Sequence, residues 1–184
     1  MPVFESAAMI PPQTRREALT EVRAQLDTVS GSILNIRVGG NDLSHAFGLR
    51  RPANRTIYDL RPVADILIDI VAAFGTQYVV SGPVWEYYSG EGWEEGLRRE
   101  MELDLLNGFT GKTVIHPNQI PVVNEMLRVS QRDYADARAI PNWDTGSGSL
   151  VSASEDGGRM NEYNTHSRWA RRIVLRAERY GVRA

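Results

Sequence analysis

Four short β-branched runs alternate with long apolar-striped segments along this chain of 184 residues, and that alternation limits the folds open to it. The runs fall near residues 3–5, 33–38, 78–81 and 113–115, about 30 to 45 residues apart, the spacing of parallel strands joined by crossover helices. An α/β fold follows. Four such units are half of an eight-stranded barrel, which takes about 250 residues. An open, doubly wound sheet of four strands would also fit the length, although no Gly-rich phosphate fingerprint follows the first strand. Spacing alone leaves both open.

Between the strands the helical period is plain. Thr14-Arg15-Arg16-Glu17 reads as a capping box, and Leu19, Val22, Leu26 and Val29 follow at helical spacing, which predicts a helix ending at Ser30-Gly31-Ser32. After the second strand, residues through Gly48-Leu49-Arg50-Arg51-Pro52 read as a long loop. A second helix starts near Pro62, a residue suited to a first turn, and carries Val63, Ile66, Leu67, Ile70, Val71 and Phe74 to Gly75. A third covers Trp93 to Asn107, with Leu97, Met101 and Leu105 on its buried side and repeated Glu and Arg pairs reading as a solvated face. Beyond the fourth strand the pattern predicts a helix over 118–128 and another, capped by Ser130 and Asp133, ending at Pro141. The expected organisation is a strand–helix domain over 1–140, a Gly/Ser-rich linker over 141–160 and a C-terminal helix over 161–184.

Composition narrows function by exclusion. With 21 basic against 23 acidic residues, and arginines spread over several helices, no basic stripe invites nucleic acid. There is no cysteine, hence no disulfide framework, thiolate nucleophile or Cys-based zinc site. Three scattered histidines leave carboxylate oxygens as the better metal donors, which favours a hard cation such as magnesium. No apolar run reaches the length of a membrane span and the first residues lack a signal-peptide pattern, so the expected location is the cytoplasm.

The chemistry-bearing candidate is Ile36-Arg37-Val38-Gly39-Gly40-Asn41-Asp42-Leu43-Ser44. A buried strand stops at two glycines, which let the backbone turn and approach a ligand, and Asp42 follows at the strand's carboxyl end, the rim where parallel α/β folds collect their ligands. Asp42 is a candidate metal ligand; its alternative is to cap the following segment. Glu5 ends the first run and by itself reads equally as a surface carboxylate. His116 follows the fourth run and reads as a packed or hydrogen-bonded rim histidine. Trp85 and Tyr87 form an aromatic loop that could wall a pocket or meet a partner.

Several separate stretches together resemble one family, the citrate lyase beta-subunit-like proteins of the HpcH/HpaI aldolase superfamily. They are Pro-Val-Phe-Glu-Ser around Glu5, Gly39-Gly40-Asn41-Asp42-Leu43, the run Gly108-Phe-Thr-Gly-Lys-Thr-Val-Ile-His-Pro-Asn-Gln-Ile120, and Asp156-Gly157-Gly158-Arg159-Met160. The wording around Arg37 and Ser81 is similar to a bacterial subgroup of barrel-fold carbon–carbon bond lyases found with tellurite-resistance genes. The resemblance implies a partial (β/α)8 TIM barrel over 1–140, with residues 3–5, 33–40, 78–81 and 113–116 as strands five to eight, followed by a C-terminal helical extension. Strands one to four, with groups needed for a complete site, are then absent, and the chain begins inside a strand. Glu5 and Asp42 become the ligands of Mg²⁺, although their separation is about ten residues longer than is usual in the family. Gly39, Gly40, Ser81 and Trp85 are placed against substrate and His116 at the site mouth, where a histidine can act as general base. Glu162 falls where some relatives carry an acid that reaches a neighbouring subunit's site; its alternative is a first-turn helix acid. Lys112 reads as a structural loop residue.

The implied activity is a magnesium-dependent lyase or aldolase acting on a 2-oxo acid or acyl-CoA substrate, the cation polarising a carbonyl and stabilising the enolate left when a carbon–carbon bond breaks. The expected partners beyond the substrate are further copies of the chain, or the missing half of the barrel. The rival reading is a non-catalytic half-barrel that pairs with itself or with a second chain, because an uncovered parallel sheet demands a partner.

Overall fold

The computed structural model describes residues 1–140, 150–154 and 157–183 of the protein. They form two compact units, Met1–Met126 and Leu127–Ala184. The division falls earlier than residue 140 because the helix over Gln131–Ala139 packs on the C-terminal helix.

In the first unit β1 (Val3–Phe4), β2 (Ile36–Val38), β3 (Val80–Gly82) and β4 (Gly111–Lys112) make one sheet in that order. Every pairing is parallel, with Val3 beside Arg37, Arg37 beside Ser81 and Ser81 beside Gly111. The sheet is therefore the α/β kind that the alternation predicts. Its strands are shorter than the apolar runs. Ile33 donates its N–H to Ser30 O in the preceding 3-10 turn, which holds it out of the ladder, so β2 begins only at Ile36. Thr113 still donates to Gly82 O at 3.1 Å, after which the chain leaves the sheet and Ile115 turns outward.

Two helices cover one face of this sheet. α1 (Pro12–Asp27) starts two residues before Thr14, with Pro12 in its first turn, so the expected capping box does not form; Thr14 is already helical and its hydroxyl donates to Pro11 O. α3 (Arg61–Phe74) buries Val63, Ile66, Leu67, Ile70 and Phe74. These join Leu19 of α1 and Phe4, Ile36, Val38 and Val80 of the strands in a single apolar cluster, where Phe74 lies 5.0 Å from Phe4 between ring centroids. Burial of each such side chain is worth about 1.5–3 kcal/mol, which makes this cluster the main source of the unit's stability. The alternate residues of the strands lie on the other face, where Val3 and Val79 stay 43% and 48% exposed.

The segment expected as a loop after β2 opens with a short helix, α2 (Gly40–Ala46). α4 (Trp93–Leu106) buries Leu97 and Met101 as its spacing predicts, but it buries Glu100 and Asp104 with them. The solvated-face reading holds for Arg98, which pairs with Glu94 and Glu125, and fails for those two acids. Each is answered by a buried cation. Lys112 Nζ lies 2.8 Å from Glu100 and 2.7 Å from Asp104, and Arg51 Nη2 donates to Glu100 at 3.2 Å. Arg51 Nε comes within 2.9 Å of Glu100 but out of line for a hydrogen bond, so that approach is ionic only. α5 (Gln119–Met126) closes the unit against α4.

In the second unit β5 (Val129–Ser130) leads into α6 (Gln131–Ala139), which Ser130 caps by accepting from the Asp133 N–H, as its sequence predicts. β6 (Val151–Ala153) pairs antiparallel with β7 (Met160–Glu162), so the described parts of the expected linker form a hairpin; residues 141–149, 155 and 156 lie outside the described residues. α7 (Tyr163–Tyr180) buries Ala170, Ile173 and Ala177 against Val129, Ala137 and Ile140, and β8 (Val182–Arg183) runs parallel to β5. Among the described residues no helix is long and apolar enough to cross a membrane.

Candidate functional site

The carboxyl ends of β1 and β2 bring two acids together. Glu5 is the residue after β1, level with Gly39 in the parallel register, and Asp42 lies in the first turn of α2, which starts directly from the end of β2. Gly39 marks their meeting point: a Cβ built on it would lie 2.7 Å from Glu5 Oε2 and 3.0 Å from Asp42 Oδ2. The two oxygens thus approach one spot from neighbouring elements, and the missing side chain of Gly39 is what leaves it open. Asp42 does not cap α2. The cap residue is Gly39 and no side chain bonds there. Among the described residues neither acid has an ion pair or a side-chain hydrogen bond, so both keep their lone pairs for a ligand.

Carboxylate oxygens of this kind suit a small hard cation, which commonly takes one or two carboxylates and fills its remaining positions with water and substrate oxygens. Among the described residues no three histidine or acidic side chains gather in a metal-binding group, so Glu5 and Asp42 would supply only two protein ligands. The residues present fit magnesium better than zinc.

The other expected site residues separate into different roles. Ser81 lies on the open face of the sheet, buried, and its Oγ accepts from Asn35 Nδ2 at 2.7 Å. Gly40 is bare for packing rather than for ligand approach, since a Cβ there would come within 2.6 Å of Pro83 and 2.7 Å of Ile57. Trp85 walls no opening. It is fully buried, donates its indole N–H to Trp93 O at 2.9 Å and lies under the Arg51 guanidinium. His116 stacks on Tyr88 at 4.2 Å between ring centroids, and its Nδ1 accepts from the Asn118 N–H. Glu162 sits in the second unit at the start of α7, where it accepts from the Thr165 hydroxyl while its own N–H donates to His166.

Two further arrangements appear only in the folded chain. Gln119, in the motif after β4, is buried and ties the rim together: its Nε2 donates to Trp85 O and Tyr87 O, and its Oε1 accepts from the Ile115 N–H. Beneath the rim, burial and Glu100 push the Asp104 carboxyl up. Burial pulls the Lys112 ammonium down, but the two acids at its side more than offset this and hold it above the ordinary lysine value. Lys112 is therefore a charged structural residue, on the helix-covered side of the sheet.

In parallel α/β folds the carboxyl ends of the strands are where ligand-binding and catalytic groups collect, and a carboxylate pair there has the chemistry to hold a hard cation. Residues 1–182 match the sequence profile described as C-C_Bond_Lyase of the TIM-Barrel fold, and the chain belongs to that family. An L-malyl-CoA/beta-methylmalyl-CoA lyase from Cereibacter sphaeroides is 37% identical over 73 residues, which are 39% of this chain and 22% of that enzyme. The crystal structure of CitE from Mycobacterium tuberculosis, in complex with magnesium, acetoacetate and coenzyme A, aligns with a TM-score of 0.56 and 26% identity. That alignment covers 79% of this chain and 52% of CitE, so the chain spans about half the length of that relative.

Proposed function

We propose that the protein is a magnesium-dependent carbon–carbon bond lyase of this family, acting on a 2-oxo acid or an acyl-CoA thioester, and that it represents the second half of a (β/α)8 barrel. The observation that carries this reading is the convergence of Glu5 and Asp42 over Gly39. Glu5 and Asp42 would hold the cation, which when bound supplies Lewis-acid polarisation of the substrate carbonyl. Gly39 keeps the approach open, and Ser81 presents a hydroxyl on the same sheet face one layer below. His116 is the candidate for proton movement at this site, and Glu162, in the second unit, is the acid that would reach a neighbouring subunit's site. That the malyl-CoA lyase and the magnesium- and CoA-bound CitE are among the proteins this chain is similar to supports both the metal and the substrate class.

The test is Mn²⁺ binding followed by electron paramagnetic resonance, alongside turnover of a panel of oxo acids and acyl thioesters with and without Mg²⁺. Asp42→Asn should lose most metal affinity and any magnesium-dependent turnover while melting like the wild type. An Asp42→Asn protein that binds Mn²⁺ as before would remove the basis of the reading.

A second reading rests on the exposed valines Val3 and Val79, which leave apolar surface on the sheet face opposite α1 and α3. Such a face suits a half-barrel that pairs with another copy or a second chain. A solution mass from light scattering above that of one chain supports pairing, and a stable monomer argues against it.

A further inference from the structure

The open face of the sheet carries a cation that the proposed metal site does not use. Arg37 is the central residue of β2, between Ile36 and Val38, which both point into the core beneath the helices. Strand alternation turns its side chain to the opposite face, the one that Glu5 and Gly39 share. Register places it beside Val3 and Ser81, two residues before Gly39 on the same strand, a rise of about 6.6 Å. Its guanidinium leans across β3, where Nε donates to Thr113 Oγ1 at 3.3 Å just past the end of β4. The head group is thus drawn toward the carboxyl rim.

What distinguishes Arg37 is the absence of a counter-charge. The buried cations on the other side of the sheet, Arg51 and Lys112, are met by Glu100 and Asp104. Among the described residues Arg37 has no carboxylate partner, and its two Nη groups have no hydrogen-bond acceptor. A half-buried arginine with Val3 beside it on the neighbouring strand gives up hydration without receiving an anion in return. Its fixed fork of donors matches a carboxylate in a two-point contact.

We infer that Arg37 binds the carboxylate of the substrate, one layer below the Glu5–Asp42 pair, and so selects a 2-oxo acid whose acid group lies down the sheet face while its carbonyl faces the rim. This deepens the lyase reading and rests on it for the identity of the substrate, but the arginine's role can be measured apart from the metal. The probe is pyruvate, titrated calorimetrically into the purified chain in metal-free buffer and again with Mg²⁺, with pyruvamide as the uncharged control. Arg37→Gln should weaken pyruvate binding ten- to a hundredfold in both buffers, the range expected when a charge-assisted pair is removed. Arg37→Lys should recover part of the loss, since the charge returns without the fork. Pyruvamide should bind weakly and alike to all three proteins, and Mg²⁺ affinity should stay within twofold of wild type. If pyruvate still distinguishes Arg37→Gln from wild type while no metal binds, Arg37 stands and the Glu5–Asp42 metal reading falls. Unchanged pyruvate affinity in Arg37→Gln, or no pyruvate binding by the wild type in either buffer, overturns the assignment.

Discussion

Glu5 and Asp42, 37 residues apart in the chain, direct their carboxylates to Gly39, the residue directly after β2, which carries no side chain. Gly39 has φ −83°, a conformation any residue adopts, so glycine is not required there by the backbone. Space requires it.

Gly39→Ala should lose metal and stability together. The added methyl would lie 2.4 Å from Glu5 Cβ, which is fixed to the backbone after β1 and cannot swing aside, so the ends of β1 and β2 must move apart. Overpacking of this kind costs about 1–3 kcal/mol. The same shift separates the two carboxylates, so the expected result is Mn²⁺ affinity reduced about tenfold or more together with a urea midpoint below wild type.

Removing Lys112 should instead be a folding defect. Its side chain is wholly shielded from solvent and bridges Glu100 and Asp104, which are further held by the Ile57 N–H and the Tyr58 hydroxyl. Lys112→Met strands two buried acids with only Arg51 to answer them. Breaking a buried pair in this way costs about 3–5 kcal/mol, while replacing all partners together costs far less. Urea unfolding of Lys112→Met should show that loss, and the double variant Lys112→Met with Asp104→Asn should regain part of it.

The same network shows where sequence reading stops. The four-strand rhythm and the inward faces of α3 and α4 were legible because each is a local period: Ile66 and Ile70, or Leu97 and Met101, repeat every turn. Glu100 and Asp104 obey that period too, but a charged residue at a helical interval reads as solvated unless its partners are known. Those partners, Arg51 and Lys112, lie 49 and 12 residues away from Glu100. The candidate pair was legible in part, since Gly39-Gly40-Asn41-Asp42 announces a strand end, but the approach of Glu5 to Asp42 was not. Trp85 reads as a pocket wall from its aromatic neighbours, and only the fold reveals that it packs on Gly96, where a Cβ would come within 2.4 Å of the indole. Arg37 did leave a signal, a lone charge within a β-branched run, which strand alternation places opposite Ile36 and Val38.

Alkaline pH should unfold the first unit through Tyr58 and Lys112. Burial, with Asp104 and Glu100 close by, raises the Tyr58 phenol far above its ordinary value of 10.0, and Lys112 is raised above 10.5 by its two acids against the pull of burial. In both cases the folded state holds its proton more tightly than the unfolded chain. The stabilisation is fully present below the unfolded values and is lost as pH rises through the folded ones. Urea midpoints should be level between pH 7 and 9 and fall steeply above 10, and Tyr58→Phe should make that fall shallower.

Gln119 should prove a structural member of its motif, with a dependence on pH that the wild type lacks. Its amide uses both ends: Nε2 donates to the carbonyls of Trp85 at 2.7 Å and Tyr87 at 2.8 Å, and Oε1 accepts from the Ile115 N–H at 3.0 Å. Gln119→Ala leaves three backbone groups to find water at a site where the side chain is 1% exposed, a loss of about 2–4 kcal/mol at 1 or slightly more per bond. Gln119→Glu keeps the acceptor but turns a carboxylate toward two carbonyl oxygens. That arrangement favours the protonated acid, so the introduced group carries a raised folded pKa, and its stabilisation is present at low pH and lost as pH rises through that value. The Gln119→Glu protein should thus be markedly less stable than wild type at pH 8 and recover toward it at pH 5, whereas the Gln119→Ala deficit should be the same at both. Equal deficits for the two variants at both pH values would mean that the amide's donors do not hold the rim.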